Sequence, residues 1–232
     1  MKIYPIHALN INPKEFISIQ EKLAEQLDVS QPLHLHDIQT VAGVDVAYTN
    51  SNGIEMGFCY IAVFDLATME IIDHAESKGH ITVPYIPGFL AFRELPLILK
   101  AAGNLKNAPD LFLFDGNGIL HPRRMGIATQ ASFFLGTPTI GIAKTFFKVG
   151  DSELTELGWK KGNFTDIIEH GEIIGRVLRT SDGVKPVYIS PGNQIDMDSS
   201  TKIALTLSGS ESRLPIPVRQ RILRQGSCGK MD

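Results

Sequence analysis

Cysteine is scarce in this chain of 232 residues: Cys59 and Cys228 are the only two, and they form no C-x-x-C pair. That excludes a disulfide framework and a thiolate zinc site as organising devices and fits a reducing compartment. No apolar run approaches the roughly 18 residues that a membrane span needs. The opening MKIYPIHALNINPKEF lacks the basic-then-apolar order of a secretion signal. The sequence therefore predicts a cytoplasmic protein without a membrane partner. An excess of positive charge is missing too, because 22 Lys and Arg stand against 25 Asp and Glu for a formal net charge of −3. A nucleic-acid partner would have to meet a local patch on such a protein. Repeats and low-complexity tracts are absent. What remains is 43% hydrophobic and 20% charged, a composition that excludes a collagen, a disordered tail and a coiled coil. The length favours one domain spanning 1–232 over two.

Residues 14–27 place Phe16, Ile19, Leu23 and Leu27 at helical spacing, with charged residues between them. Apolar runs at 41–48, 57–66, 111–114, 139–143, 172–180 and 185–190 have strand length and are rich in Val, Ile, Phe and Tyr. Helical stretches are predicted at 89–102, 124–135 and about 198–208, the last with Asp198 and Ser199 as cap candidates. The polar cluster 49–53 reads as a hairpin turn. Segment 150–166 reads as an irregular surface excursion. A hairpin followed by strand–helix alternation predicts an α/β fold with a mixed sheet covered by helices. The last 32 residues hold Lys202, Arg213, Arg219, Arg221, Arg224 and Lys230 against Glu211 and Asp232, a cationic stretch whose default reading is a solvated tail.

Three acids stand where chemistry is plausible. Asp45 interrupts the apolar strand VAGVDVAY, where an ionised carboxylate is costly unless compensated. Asp115 ends DLFLFDGNG, and strand C-terminal ends are where open α/β sheets bind ligands. Glu94 lies in LAFRELP, just ahead of Pro96, a residue expected to stop or kink its helix. Taken singly, the three read as a turn cap, an Asp-Gly turn and a solvated helix residue paired with Arg93 or Lys100. Together they supply hard oxygen donors suited to Mg²⁺ or Mn²⁺. The glycines after Asp115 lack the third member of a dinucleotide fingerprint. Pro84 and Pro87 stiffen a loop presenting Tyr85 and Ile86, which is either an apolar wedge or a surface turn. His121 in ILHPRR reads as a metal-shell, phosphate-contacting or structural histidine. Arg123, Arg124 and Lys144 offer charge to phosphates.

Together, GVDVAY, PYIPGFLAFRE, DGNGILHPRRMGIA, TIGIAK and RLPIPVR resemble the endonuclease V family in order and spacing, from about residue 14 to 225. The resemblance implies a ribonuclease H-like fold, a mixed central β-sheet flanked by helices. It implies metal binding by Asp45 and Asp115, with Glu94 as the third carboxylate and Lys144 beside the reaction centre. By the same resemblance Tyr85 is the wedge, within Pro84, Ile86 and Pro87, and Gly88, Leu90 and Gly116 surround a flipped hypoxanthine. His121 matches the family's HPR motif, where it and Arg123 would bind phosphate. The implied activity is cleavage of the second phosphodiester 3′ of inosine, with Mg²⁺ as cofactor and Mn²⁺ as substitute. DNA and RNA carrying inosine are both candidate partners, and no residue here selects between them. The chain departs from the family at two places. Where the family usually has a histidine, Ser190-Pro191-Gly192-Asn193 ends in an amide that cannot shuttle a proton. Asn193 at that catalytic position implies lower activity or a shifted metal preference, with Asp196 or Asp198 as local substitutes; the alternative is a weakened homologue that binds inosine and cuts poorly. Ile216 and Val218 stand where the family tends to have Glu and Thr.

Overall fold

The computed structural model describes residues 1–209 and 212–218; Cys228 and most of the cationic C-terminal stretch lie outside them. Eight strands form one sheet: β1 (Thr40–Ser51), β2 (Ile54–Asp65), β3 (Ile71–His80), β4 (Leu111–Phe114), β5 (Thr139–Ala143), β6 (Phe164–Glu169), β7 (Glu172–Leu178) and β8 (Val187–Asn193). Their order is β3-β2-β1-β4-β5-β8-β7-β6. The central β1, β4 and β5 run parallel and the remaining neighbours antiparallel. Burial on both faces explains why β4 and β5 read as continuous apolar runs.

The described residues form four α-helices, α1 (Phe16–Ala24), α2 (Leu90–Ala102), α3 (Ile127–Leu135) and α4 (Met197–Thr206), of which the last three pack on the sheet. On one face, α2 and α3 bury Leu95, Ile98 and Phe134 against Val44, Ile61, Phe112 and Phe114. On the other, Ile203 of α4 and Val218 join Val41, Leu113, Ile140 and Ile189. A glycine is required at 43, because a Cβ there would stand 1.7 Å from the carbonyl oxygen of Pro217. The turn Ile216–Val218 thus lies directly on β1. α1 packs on α2 through Phe16, stacked on Phe92 with centroids 3.9 Å apart.

Two strands escape the sequence reading. β3 carries Asp73, His74, Glu76, Ser77 and Lys78 on an edge with little apolar alternation. β6 begins inside the stretch read as irregular, and Ile167 is its fully buried residue. Pro96 does not stop α2, which continues six residues beyond it with Leu97, Ile98 and Leu99 buried; packing overrides the local penalty. The cap of α4 is Asp196, whose carboxylate accepts from Ser199 N–H at 2.6 Å, and not Asp198 or Ser199. No helix among the described residues is long and apolar enough to cross a membrane.

Candidate active site

Parallel pairing brings the two aspartates together. Val44 of β1 and Phe114 of β4 are register partners, so Asp45 and Asp115 follow one step on, beside each other on adjacent strands. Glu94 reaches them from α2. The three carboxylates, with Val44, Val46, Ile98 and Phe114, line one cleft of about 190 Å³. Lys144, just past the end of β5, donates a hydrogen bond from Nζ to Asp115 Oδ2.

Burial pushes the Glu94 carboxyl up to about 7, and Asp115 and Asp45 push it the same way. The Tyr48 hydroxyl, which donates to Glu94 Oε1, and Arg93 work in the opposite direction. Arg93 lies 4.5 Å above the Tyr48 ring. Its guanidinium also holds Glu55 at 2.5 Å and the Val83 carbonyl at 2.6 Å. Neither Tyr48 nor Arg93 stands out in the sequence, because an aromatic at a strand end and an arginine on a helix have no distinctive spacing.

A second cavity, about 70 Å³, is lined by Tyr85, Gly88, Leu90, Asn117, His121 and Phe147 among others. Tyr85 is 67% exposed between its two prolines. Ile86 is half-buried, and Pro84 and Pro87 are exposed. Gly88 takes φ +83°, a left-handed conformation that side chains rarely adopt. Gly116 does not line this cavity; it follows Asp115, with Ile127 packed where its Cβ would stand.

His121 is buried, and both its ring nitrogens are committed. Nδ1 accepts the N–H groups of Arg123 and Met125, each at 3.2 Å, so Nε2 carries the hydrogen and donates to the Gly88 carbonyl at 2.9 Å. Burial pulls its pKa down to about 4, aided by Arg123 and Arg124. This geometry favours the structural alternative for His121 over a charged phosphate contact. Arg123 is half-buried, donates from Nε to Gln20 Oε1 at 2.7 Å and covers the Phe89 ring at 4.8 Å. Arg124 is turned toward Glu169 and Glu172, at 2.6 and 3.2 Å.

Asn193 is not brought to the carboxylates. It pairs with Thr139 at the start of β5, the strand whose other end leads to Lys144. That places it two strands from β4 and roughly 10 Å along the sheet from the level of Asp115. Its Oδ1 accepts the Asp28 N–H at 2.9 Å. Asp196 is the α4 cap, and Asp198 pairs with Arg176 at 2.6 Å, so neither is available as the substitute that the sequence suggested.

Another group can hold a metal ion. Asp151, Glu169 and His170 offer ligand atoms within 4.8 Å of one another, although Arg124 already pairs with Glu169. Asp45, Glu94 and Asp115 share their own cleft.

Aspartates side by side on neighbouring parallel strands, with a glutamate from the covering helix, in a mixed, helix-flanked sheet define a nuclease of ribonuclease H-like fold. The chain belongs to the endonuclease V family, whose model matches residues 21–221. It is 49% identical to endonuclease V of Bacillus subtilis (strain 168) over 220 residues, covering 94% of this chain and 92% of the relative. The crystal structure of the B. subtilis endonuclease V superposes with a TM-score of 0.91 at 49% identity, over 94% of this chain and 93% of that one. Endonuclease V of Ciona intestinalis, solved in complex with a 24mer DNA containing an inosine followed by a ribo-adenosine, gives a TM-score of 0.77 at 27% identity, covering 88% and 92%.

Proposed function

We propose that this chain, as one domain acting in the cytoplasm, is a divalent-metal-dependent endonuclease that cuts inosine-containing strands at the second phosphodiester on the 3′ side. The observation that carries the reading is the adjacency of Asp45 and Asp115 across a cleft from Glu94, next to a rigid loop with an exposed aromatic. The Ciona relative's complex with inosine-containing DNA supports the substrate class.

The donor set fits a hard cation. Asp45, Glu94 and Asp115 line one cleft, and Glu94 is raised toward neutrality by burial and by its like-charged neighbours, a conflict that a divalent ion relieves. Asp45 and Asp115 would hold it, with Glu94 completing the set; Mg²⁺ is the proposed ion and Mn²⁺ the substitute. Such an ion supplies Lewis acidity toward a phosphate oxygen and a nucleophile near neutral pH. Lys144 adds positive charge where the phosphate arrives, and Tyr48 holds Glu94 on the cleft. Tyr85 would fill the gap that an everted nucleotide leaves, while Gly88 and Leu90 would offer a close wall for the base.

The test is a gel assay on matched DNA and RNA oligonucleotides carrying one inosine, with Mg²⁺ or Mn²⁺. The expected product is a nick one nucleotide beyond the inosine, leaving a 3′-hydroxyl and a 5′-phosphate. Cleavage that ignores inosine would remove the substrate assignment. The pairing of Asn193 with Thr139, at the start of β5, speaks against the weakened-homologue alternative.

A further inference from the structure

We propose that Gln20 sets the spacing between the two walls of the base cavity and is thereby a positioning residue for recognition of the everted purine. The proposal rests on the functional reading above. Gln20 lies on α1, 0% exposed, on the apolar stripe between Phe16 and Leu23. A primary amide in such a place costs several kcal/mol unless its hydrogen bonds are made, and here they are made to the cavity. Nε2 donates to the Gly88 carbonyl at 3.1 Å and to the Met125 carbonyl at 3.2 Å. Oε1 accepts Arg123 Nε at 2.7 Å.

Gly88 belongs to one wall, directly after the wedge. Met125 belongs to the other, leading into Gly126 and Ile127. One amide nitrogen therefore ties the two walls together. The Gly88 carbonyl also receives His121 Nε2 at 2.9 Å and Arg123 Nη2 at 3.4 Å, so donors from α1 and from the 121–123 loop converge on a single oxygen. At the opposite end of the wedge, Arg93 holds the Val83 carbonyl. Pro84, Tyr85, Ile86 and Pro87 thus hang between two fastened carbonyls. A loop fixed in advance has little ordering entropy left to lose when a base enters, so the benefit appears as affinity and selectivity and not as chemical rate.

The experiment is single-turnover cleavage over a range of enzyme concentrations, on strands with 2-aminopurine beside the inosine, using Gln20→Met, Gln20→Glu and wild type. Gln20→Met removes both donors and the acceptor at similar volume. It should raise the apparent Kd tenfold or more and reduce the 2-aminopurine signal of eversion, while the saturating rate stays within twofold. Gln20→Glu keeps the acceptor for Arg123 but points a carboxylate at two carbonyls, and should lose affinity as well. Ser200→Ala removes a buried hydroxyl bonded at 2.7 Å to the Asp196 carbonyl on α4, and should leave Kd unchanged. Wild-type Kd in folded Gln20→Met, or in Gln20→Glu, would overturn the proposal. If neither variant folds, wild-type structures with and without an uncleaved inosine strand decide: Gln20 Nε2 should bond both carbonyls in each, and separation on binding would overturn it. Wild type that fails to bind inosine strands would instead remove the functional reading.

Discussion

The carboxylate cleft and the base cavity lie side by side, yet they are built on opposite electrostatic plans. In the cleft, three acids lie together, Lys144 pairs with Asp115, and Glu94 is held near neutrality. In the cavity wall, Gln20 and His121 have all their polar atoms matched and His121 is kept neutral. The contrast separates two jobs. Gathered acids suit a cation and a phosphate, whereas completed hydrogen bonds keep a shape.

The contrast is broken most sharply at the aspartates. Asp45→Asn and Asp115→Asn should each lower the single-turnover rate by about 10²–10³-fold or more while inosine-strand binding, read by gel shift in Ca²⁺, persists. Equal loss of binding would mean that the two regions are not separable.

On the cavity side, Tyr85→Ala should weaken binding by about 10-fold, on the scale of one stacked base. The melting temperature should stay unchanged because the ring is mostly exposed. A matching fall in stability would show the ring to be part of the core.

The pH dependence of stability in EDTA sharpens the difference. Glu94 has a folded pKa of about 7 against an ordinary 4.5. The folded state therefore holds a proton that the unfolded state has lost, and stability falls as pH rises from about 4.5 to 7, by an amount on the order of 3 kcal/mol. His121, lowered to about 4 from 6.5, acts in reverse: the unfolded state takes the proton first, and stability rises from about pH 4 to 6.5. Urea titrations across this range should show Glu94→Gln rising more steeply with pH than wild type. Identical slopes would refute the raised Glu94.

The smallest effect is expected at Asn193. Asn193→His should leave cleavage within about twofold and lower stability by about 1 kcal/mol through the lost Asp28 contact. A large gain in rate across pH 6 to 9 would restore a catalytic role to this position.

Much of the arrangement is legible in the residues themselves. β4 and β5 announce themselves as apolar runs, and Asp45 is conspicuous because an acid in an apolar strand is expensive. β3 is not legible, since an exposed edge strand tolerates charge at nearly every position, and β6 is hidden by the polar stretch before it. The adjacency of Asp45 and Asp115 depends on strand order, which no local pattern encodes. Gln20 did carry a signal, as a polar side chain on the buried stripe of an amphipathic helix, but its partners are about 70 and 100 positions away. Asn193 shows the reverse error: a motif position suggested chemistry, and the β5–β8 register carries it to the wrong end of the strand.

The pairing of β1 with β4 also bears on how the protein is made. Asp45 and Asp115 meet only through strands that lie far apart along the chain, a contact of the slow, non-local kind. Asp45 leaves the ribosome well before its partner, so a nascent or truncated polypeptide ending ahead of β4 has no pair of acids to present to a phosphate. Nucleolytic competence would then arise only when the middle of the sheet closes, and the unfinished chain would pose no threat to the nucleic acids around it.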